Sequence, residues 1–138
     1  MSQGDNMAVS AFKKSGPVLY FIFRILVGFL FFSHGAMKLF GWFGGTPIAA
    51  VNLFWVVGLA EILIGLGVFF GVLTRIAAIA GAIEMIVAYI VLHIGTSVHP
   101  LLNIGESVVL FFVIFLILII YGAGRVSLEK ALFGRELI

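Results

Sequence analysis

Six ionisable side chains lie within or beside long apolar stretches of this sequence, and they are its main candidates for chemistry. They are Arg24, His34, Lys38, Glu61, Glu84 and Glu106. A charged side chain at the centre of a membrane costs about 2.5–3.5 kcal/mol on insertion scales, so each one requires a partner or a function. Grouped carboxyl and imidazole side chains can bind a polar ligand or transfer protons.

The composition indicates that these side chains are surrounded by lipid. Of the 138 residues, 63% are apolar and 10% are charged, whereas soluble domains carry about 25% charged residues. The sequence contains no cysteine, which excludes disulfides, thiolate metal sites and iron–sulfur clusters. Its net charge of +2 comes from basic residues scattered at segment ends, so we expect no nucleic-acid partner.

Four apolar stretches approach the length of about 20 residues that a membrane-spanning helix needs. We therefore predict an all-α integral membrane four-helix bundle. Its helices should lie at about 17–39, 51–73, 76–92 and 104–121. Residues 1–16 are expected to form a disordered N-terminal segment, and residues 122–138 an amphipathic tail whose helix Ser127 can cap.

The basic residues predict the orientation of the bundle. Lys and Arg are enriched on the cytoplasmic side of membrane proteins. One side of the predicted bundle carries both chain termini and almost all of the basic residues, while the opposite side has Lys38 alone. The basic residues on the first side are Lys13, Lys14, Arg75, Arg125, Lys130 and Arg135. Both termini should therefore be cytoplasmic, with Arg75 in a cytoplasmic loop.

Helix geometry predicts two groups of polar residues within the membrane. At 1.5 Å per residue, His34 and Glu61 lie about 20 Å from the cytoplasmic helix ends, and Glu106 falls at a similar depth. Lys38 lies one turn further from the cytoplasm than His34, and its long side chain can reach back toward the other residues. These residues predict a cluster in the outer half of the membrane, which we call the outer cluster. Its candidate ligand-binding or proton-site residues are His34, Lys38, Glu61, Glu106 and the nearby Asn103.

Arg24 and Glu84 form a second predicted pair, nearer the cytoplasm. Three glutamates against Arg24 and Lys38 leave one excess negative charge, and a buried carboxylate without a partner tends to take up a proton. Either a side chain is protonated or a cationic or proton-donating ligand binds. The alternative is that these groups only hold four helices in register.

Ordered motifs give the sequence a resemblance to a known family. The motifs are Arg24-x3-Gly28, Ser33-His34-Gly35-x2-Lys38, Gly58-x2-Glu61-x3-Gly65, the stretch from Leu73 to Ala78, Pro100 to Glu106, and Gly122 to Leu128. Together they span about residues 17–130 and occur in the order seen in the DoxX family, which the chain therefore resembles.

The resemblance implies a small four-helix, multi-pass protein of a prokaryotic plasma membrane. The family name derives from the membrane part of a thiosulfate:quinone oxidoreductase, so it also implies a quinone-linked oxidoreductase subunit. The positions that match family motifs are Arg24, His34, Lys38, Glu61, Arg75 and Glu106. Glu84 matches none of the motifs. Fold transfers better than activity within a family, so the sequence leaves open whether the chain is catalytic, and it identifies no catalytic residue.

Three functions are compatible with these features. In the first, the outer cluster binds a quinone; the sequence has no recognisable flavin or dinucleotide motif, so oxidation would need a bound cofactor or a partner. In the second, the chain is a non-catalytic scaffold that recruits a soluble enzyme through Arg75 and the tail. In the third, a small solute or protons pass through the bundle.

The histidines predict neither haem nor a metal site. His34 and His93 lie at similar estimated depths, but His93 follows the apolar run and is expected at the interface, so we expect no haem. The spacing of His93, His99 and Glu106 matches no zinc-ligand pattern. The expected surroundings are the lipid bilayer, and the candidate partners are an enzyme subunit and further copies of the chain.

Overall fold

The computed structural model describes residues 3–49 and 51–135, with the backbone alone described for residues 3–13. All of its regular elements are helical, and no strand occurs in this part of the chain. The α-helices are α1 (Gln3–Phe40), α2 (Leu53–Phe70), α3 (Thr74–Ala88), α4 (Glu106–Tyr121) and α5 (Leu128–Phe133); a 3-10 turn covers Trp42–Gly44 and a π-helical turn covers Tyr89–His93. The prediction of an all-α fold is confirmed.

Within the described residues, three segments are long and apolar enough to cross a membrane. They are Lys14–Phe40, Leu53–Phe70 and Thr74–His93. The fourth helix, α4, has 16 residues and is about 24 Å long, shorter than a hydrocarbon core of about 30 Å. The chain is thus a multi-pass helical membrane protein with three to four apolar helices.

The first helix begins at Gln3, so the prediction of a disordered segment over residues 1–16 is wrong for its described part. Residues 1 and 2 lie outside the described residues. The prediction of disorder was based on the Ser, Gly, Asn and Asp residues of this segment. Its Ala, Met and Lys residues favour a helix, and the helix continues through Pro17.

The second and third helices meet in a tight turn. Helix α2 starts where the Asn52 side chain accepts a hydrogen bond from the Trp55 N–H. It ends at Phe70 because Gly71 adopts the left-handed conformation, with φ of 70°. Residues 71–73, which were predicted to be helical, therefore belong to the turn, and α3 starts at Thr74. We call the end of the bundle that contains this turn the tail end, and the opposite end the loop end.

Helices α1 and α2 pack backbone against backbone. A Cβ atom added to Gly65 would lie 2.7 Å from Cα of Phe32 and 2.8 Å from the carbonyl oxygen of Gly28. Gly28 meets Phe69 in the same way, with 2.7 Å to its Cα. Such approach needs residues without a side chain. The small-residue faces of these two helices therefore form their interface.

Aromatic packing joins the second helix pair to the first. The Phe115 ring lies against Gly81, where an added Cβ atom would be 2.6 Å from the ring atom Cε2. Phe31 contacts Phe111 and Phe115 edge to face, with ring centroids 5.3 and 4.9 Å apart. These contacts hold α1, α3 and α4 around one core. Its buried residues are Val27, Phe31, Ile64, Val68, Ala78, Ala82, Met85, Phe115 and Leu118.

The C-terminal segment docks on the tail end of the bundle. Arg24 donates from Nη2 to the carbonyl oxygen of Val126 at 2.8 Å. The Glu129 side chain is 1% exposed and accepts a hydrogen bond from the Leu73 N–H at 3.1 Å. Ser127 caps α5 by accepting from the Lys130 N–H. The predicted tail helix thus packs on its own chain, and residues 136–138 of that prediction lie outside the described residues.

The glycine interface predicts a large steric effect. Gly65→Ala should lower the free energy of unfolding by about 1–3 kcal/mol, because the new methyl group overlaps the α1 backbone. Gly95→Ala is the control, since nothing lies within 4 Å of its added Cβ atom. Titration with a denaturing detergent, followed by circular dichroism, measures both. Equal stability of the two variants would contradict this packing.

The docked tail predicts a change in protease sensitivity. Glu129→Ala removes the acceptor of the Leu73 N–H, so α5 should detach more often and trypsin should cleave faster at Arg125. Leu132→Ala, on the same helix at a residue that is 66% exposed, should leave the cleavage rate unchanged. Limited proteolysis of the purified protein in detergent compares the two variants. If both are cleaved at the parent's rate, Glu129 does not hold the tail.

Candidate functional site

A cavity of about 330 Å³ lies at the loop end, between α1, α2, α3, the π-helical turn and α4. Most of its lining is apolar, including Phe31, Phe54, Val57, Met85 and Phe111. Its polar lining residues come from all of these elements: His34, Lys38, Glu61, Glu84, His93 and Ser107. An apolar cavity with a few convergent polar groups is typical of a small-molecule site.

A partly buried ion pair stands at the centre of the polar group. Lys38 donates from Nζ to Glu61 Oε1 at 2.6 Å, and Glu61 is 4% exposed. Gly58, one turn before Glu61, lets α2 approach the Lys38 side chain, since an added Cβ atom would lie 3.1 Å from Cβ of Lys38. The close approach of α2 at Gly58 thus brings the two charges together. The resulting short, charge-assisted hydrogen bond is of a strong type.

Glu84 faces the same cavity from α3, where it interacts electrostatically with Glu61 and Lys38. Two carboxyl groups thus share one ammonium group. The Oε2 atoms of Glu61 and Glu84 are both buried, and neither has a hydrogen-bond partner among the described residues. The buried carboxyl groups of Glu61 and Glu84 are thus coupled to each other and to Lys38 in the wall of the cavity.

The predicted pair of Arg24 and Glu84 is therefore wrong. Glu84 is ten residues beyond Thr74 on α3, which puts it about 15 Å from the tail end. Arg24 lies at the tail end, where it donates to the Val126 carbonyl oxygen. The prediction rested on approximate depth along the helices, whereas Glu84 faces the cavity at the loop end and Arg24 packs against the C-terminal segment at the tail end.

His34 lies one turn before Lys38 on α1 and lines the cavity. Its ring packs edge to face on Phe111, with centroids 5.6 Å apart. The structure thus brings together three of the predicted cluster residues, His34, Lys38 and Glu61. Arg75 is separate from them in the first turn of α3, half-buried at the tail end.

His93 reaches the cavity from the π-helical turn, although the sequence predicted it at the interface. Its Nδ1 lies 2.8 Å from the carbonyl oxygen of Asn103. A carbonyl oxygen only accepts, so Nδ1 carries the proton and donates it. In the neutral ring, Nε2 is then an acceptor. The signal that could have found His93 was its estimated depth, which matched that of His34.

Asn103 and Glu106 lie outside the cavity lining, which corrects two predicted members of the cluster. Asn103 is buried and organises the loop, since its side chain donates to the Ser97 carbonyl oxygen at 2.9 Å and accepts from the Gly105 N–H at 2.8 Å. Glu106 is exposed in the first turn of α4, where a negative charge is favourable near the helix N-terminus. Ser107, which the prediction missed, faces the cavity instead.

Comparison with known proteins assigns the chain to a family. The DoxX family model matches residues 19–94, a segment that contains five of the six polar cavity residues. A protein of Haemophilus influenzae, described as uncharacterized, is 30% identical over 130 residues, which cover 89% of this chain and 97% of that protein. No solved structure matches the chain. The resemblance found in the sequence motifs is confirmed, and the chain belongs to the DoxX family.

Proposed function

We propose that this chain is the membrane subunit of a quinone-linked oxidoreductase and that its cavity binds the quinone ring. One observation carries the proposal: an apolar cavity within membrane-spanning helices has an ion pair and further polar groups gathered on its lining. A quinone has the matching chemistry, because it combines an apolar ring and tail with two polar oxygen atoms.

The size and lining of the cavity support this ligand. Its volume of about 330 Å³ lies at the lower end of the range for small-molecule sites, which suits a single substituted ring. Phe31 and Phe111 lie edge to face in its wall and offer aromatic surface to such a ring. Polar groups from all four helices can then contact the ring oxygens.

Access from the bilayer also supports a lipid-soluble ligand. Three apolar residues at the margin of the cavity are largely exposed: Leu53 is 72%, Val87 53% and Val91 66% exposed. Exposed apolar surface on a membrane-spanning helix faces lipid. The cavity therefore opens between α2 and α3 toward the membrane, and a long apolar tail can stay in the bilayer while the ring is bound.

The chain's own side chains supply proton chemistry. Converting a quinone to its hydroquinone takes up two electrons and two protons. Carboxyl and imidazole groups at Glu61, Glu84 and His93 suit the exchange of protons. The sequence has no cysteine and no recognisable flavin or dinucleotide motif. We therefore propose that a partner subunit with its own redox centre exchanges the electrons.

The basic residues support an orientation for this subunit. We propose that both chain termini and the tail end face the cytoplasm of a prokaryotic cell, with the cavity in the outer half of the plasma membrane. Arg75, Arg125 and Lys130 lie at the tail end, while Lys38 lies at the loop end. This bias follows the enrichment of basic residues on the cytoplasmic side.

Filling the cavity should abolish quinone binding. Val57 lines the cavity, so Val57→Trp puts an indole ring where the ligand would bind and should weaken the affinity for a decyl-tailed benzoquinone at least tenfold. Leu63→Trp, on the same helix at a residue that is 62% exposed, is the matched control and should bind like the parent. Equilibrium binding to the purified protein in nanodiscs measures this. Equal affinity in both variants would refute the site.

The orientation predicts selective labelling of introduced cysteines, because the sequence has no native cysteine. In intact cells, a membrane-impermeant maleimide should label Gly95→Cys at the loop end. It should label Leu132→Cys at the tail end only after the cells are opened. Labelling of Leu132→Cys in intact cells would reverse the proposed topology.

A further inference from the structure

We infer that the segment before α4 is a lipid-binding surface that folds back into the bilayer. It covers residues 98–105, and we call it the re-entrant loop. The loop lies at the boundary between headgroups and acyl chains, with its aliphatic side chains among the acyl chains. This inference is independent of the cavity and of the ligand proposed for it.

The re-entrant loop exposes an unusual amount of aliphatic surface. Val98 is 77% exposed, Leu101 66%, Leu102 75% and Ile104 87%. Loops in contact with water are rich in Gly, Pro, Asn, Asp and Ser, and a concentration of exposed apolar side chains marks a site that contacts protein or membrane. These four side chains therefore need an apolar partner.

Hydrogen bonds tie the re-entrant loop to the end of the third membrane-spanning segment, Thr74–His93. The Tyr89 hydroxyl donates to the Val98 carbonyl oxygen at 2.8 Å, and Asn103 Nδ2 donates to the Tyr89 hydroxyl at 3.3 Å. The Asn103 carbonyl oxygen accepts from His93 Nδ1 at 2.8 Å. Both tyrosine and histidine belong to the spanning segment, so the loop folds back alongside it.

The lengths of the two neighbouring helical segments agree with this placement. The third segment has 20 residues and is about 30 Å long, whereas α4 has 16 residues and is about 24 Å long. Both run between the tail end and the loop end. Helix α4 thus begins about 6 Å short of the level that the third segment reaches, and the re-entrant loop lies within this difference.

The backbone of the re-entrant loop is hydrogen-bonded within the loop and to Ser97. The His99 N–H donates to Ser97 Oγ, and the Leu101 N–H donates to His99 Nδ1. The Leu102 N–H donates to the His99 carbonyl oxygen. Such pairing lowers the cost of placing irregular backbone beside lipid. His99 is itself exposed, which places the loop at the headgroup boundary rather than deeper in the acyl region.

Continuity with the lipid-facing helices identifies acyl chains as the partner. Val91, before the loop, is 66% exposed, and Leu110 and Val113, after it on α4, are 57% and 48% exposed. Exposed apolar surface on membrane-spanning helices faces lipid. The aliphatic side chains of the re-entrant loop extend this surface along the chain, so the same lipid covers them.

Spin labelling tests the inference on the full chain in nanodiscs, because the sequence has no native cysteine. A nitroxide at Leu102→Cys collides with oxygen, which concentrates among acyl chains, or with a nickel chelate, which stays in water. We expect its oxygen-to-nickel collision ratio to exceed that at Gly95→Cys by about fivefold. Gly95 is exposed and is the water reference, while Leu110→Cys is the lipid reference.

A second variant tests what holds the loop in the bilayer. Asn103→Ala, added to the spin-labelled Leu102→Cys chain, removes hydrogen bonds to Ser97, Tyr89 and Gly105. The freed backbone groups need water, so the collision ratio should fall by about twofold or more. Glu106→Gln, at the exposed start of α4, is the matched control and should leave the ratio unchanged. Circular dichroism confirms that each variant is folded.

Three results would overturn the inference. A ratio at Leu102→Cys no higher than at Gly95→Cys would place the loop in water. Few collisions with either reagent would show that protein covers the loop, and dipolar broadening between labels would identify that protein as a second copy of the chain. A ratio that Asn103→Ala leaves unchanged would show that these hydrogen bonds do not hold the loop in the bilayer.

Discussion

The ion pair between Lys38 and Glu61 depends on how closely two helices can approach, and the rest of the site depends on that pair. A lone carboxylate inside a membrane is costly, and Glu61 is almost fully buried. The glycines of α1 and α2 remove the side chains that would separate the helices, so Lys38 Nζ reaches Glu61 at 2.6 Å. The same packing places Glu61 in the lining of the cavity.

Much of the fold could be predicted from the sequence. Apolar runs and small-residue faces were sufficient to identify the membrane helices and the glycines at their contacts. Their ends were less predictable because local conformation decides them: Gly71 and Leu73 adopt positive φ values of 70° and 49°, which ends α2 before the apolar run ends. The start of α1 was also hard to predict. The helix extends beyond Pro17 toward the N-terminus, into a polar segment, because composition alone does not exclude a helix there.

The site was partly predictable, because helix geometry determines the positions of some of its residues. His34 and Lys38 are one turn apart on one helix, so their grouping follows from helical geometry, and Glu61 follows from depth. Depth alone could not assign Glu84 or Glu106, because it does not say which way a side chain points. Neighbouring residues on a helix point in different directions, and at the start of α4 it is Ser107, not Glu106, that lines the cavity. The π-helical turn brings His93 to the cavity as well.

We propose that polar groups gathered by helix packing bind a lipid-soluble ring inside the membrane. The most direct measurement is a high-resolution density map of the protein purified in its native lipids. We expect density for a planar ring between Glu61 and Phe111, with a tail leaving between α2 and α3. A cavity filled by its own side chains, or by an acyl chain with no ring near Glu61, would contradict the claim.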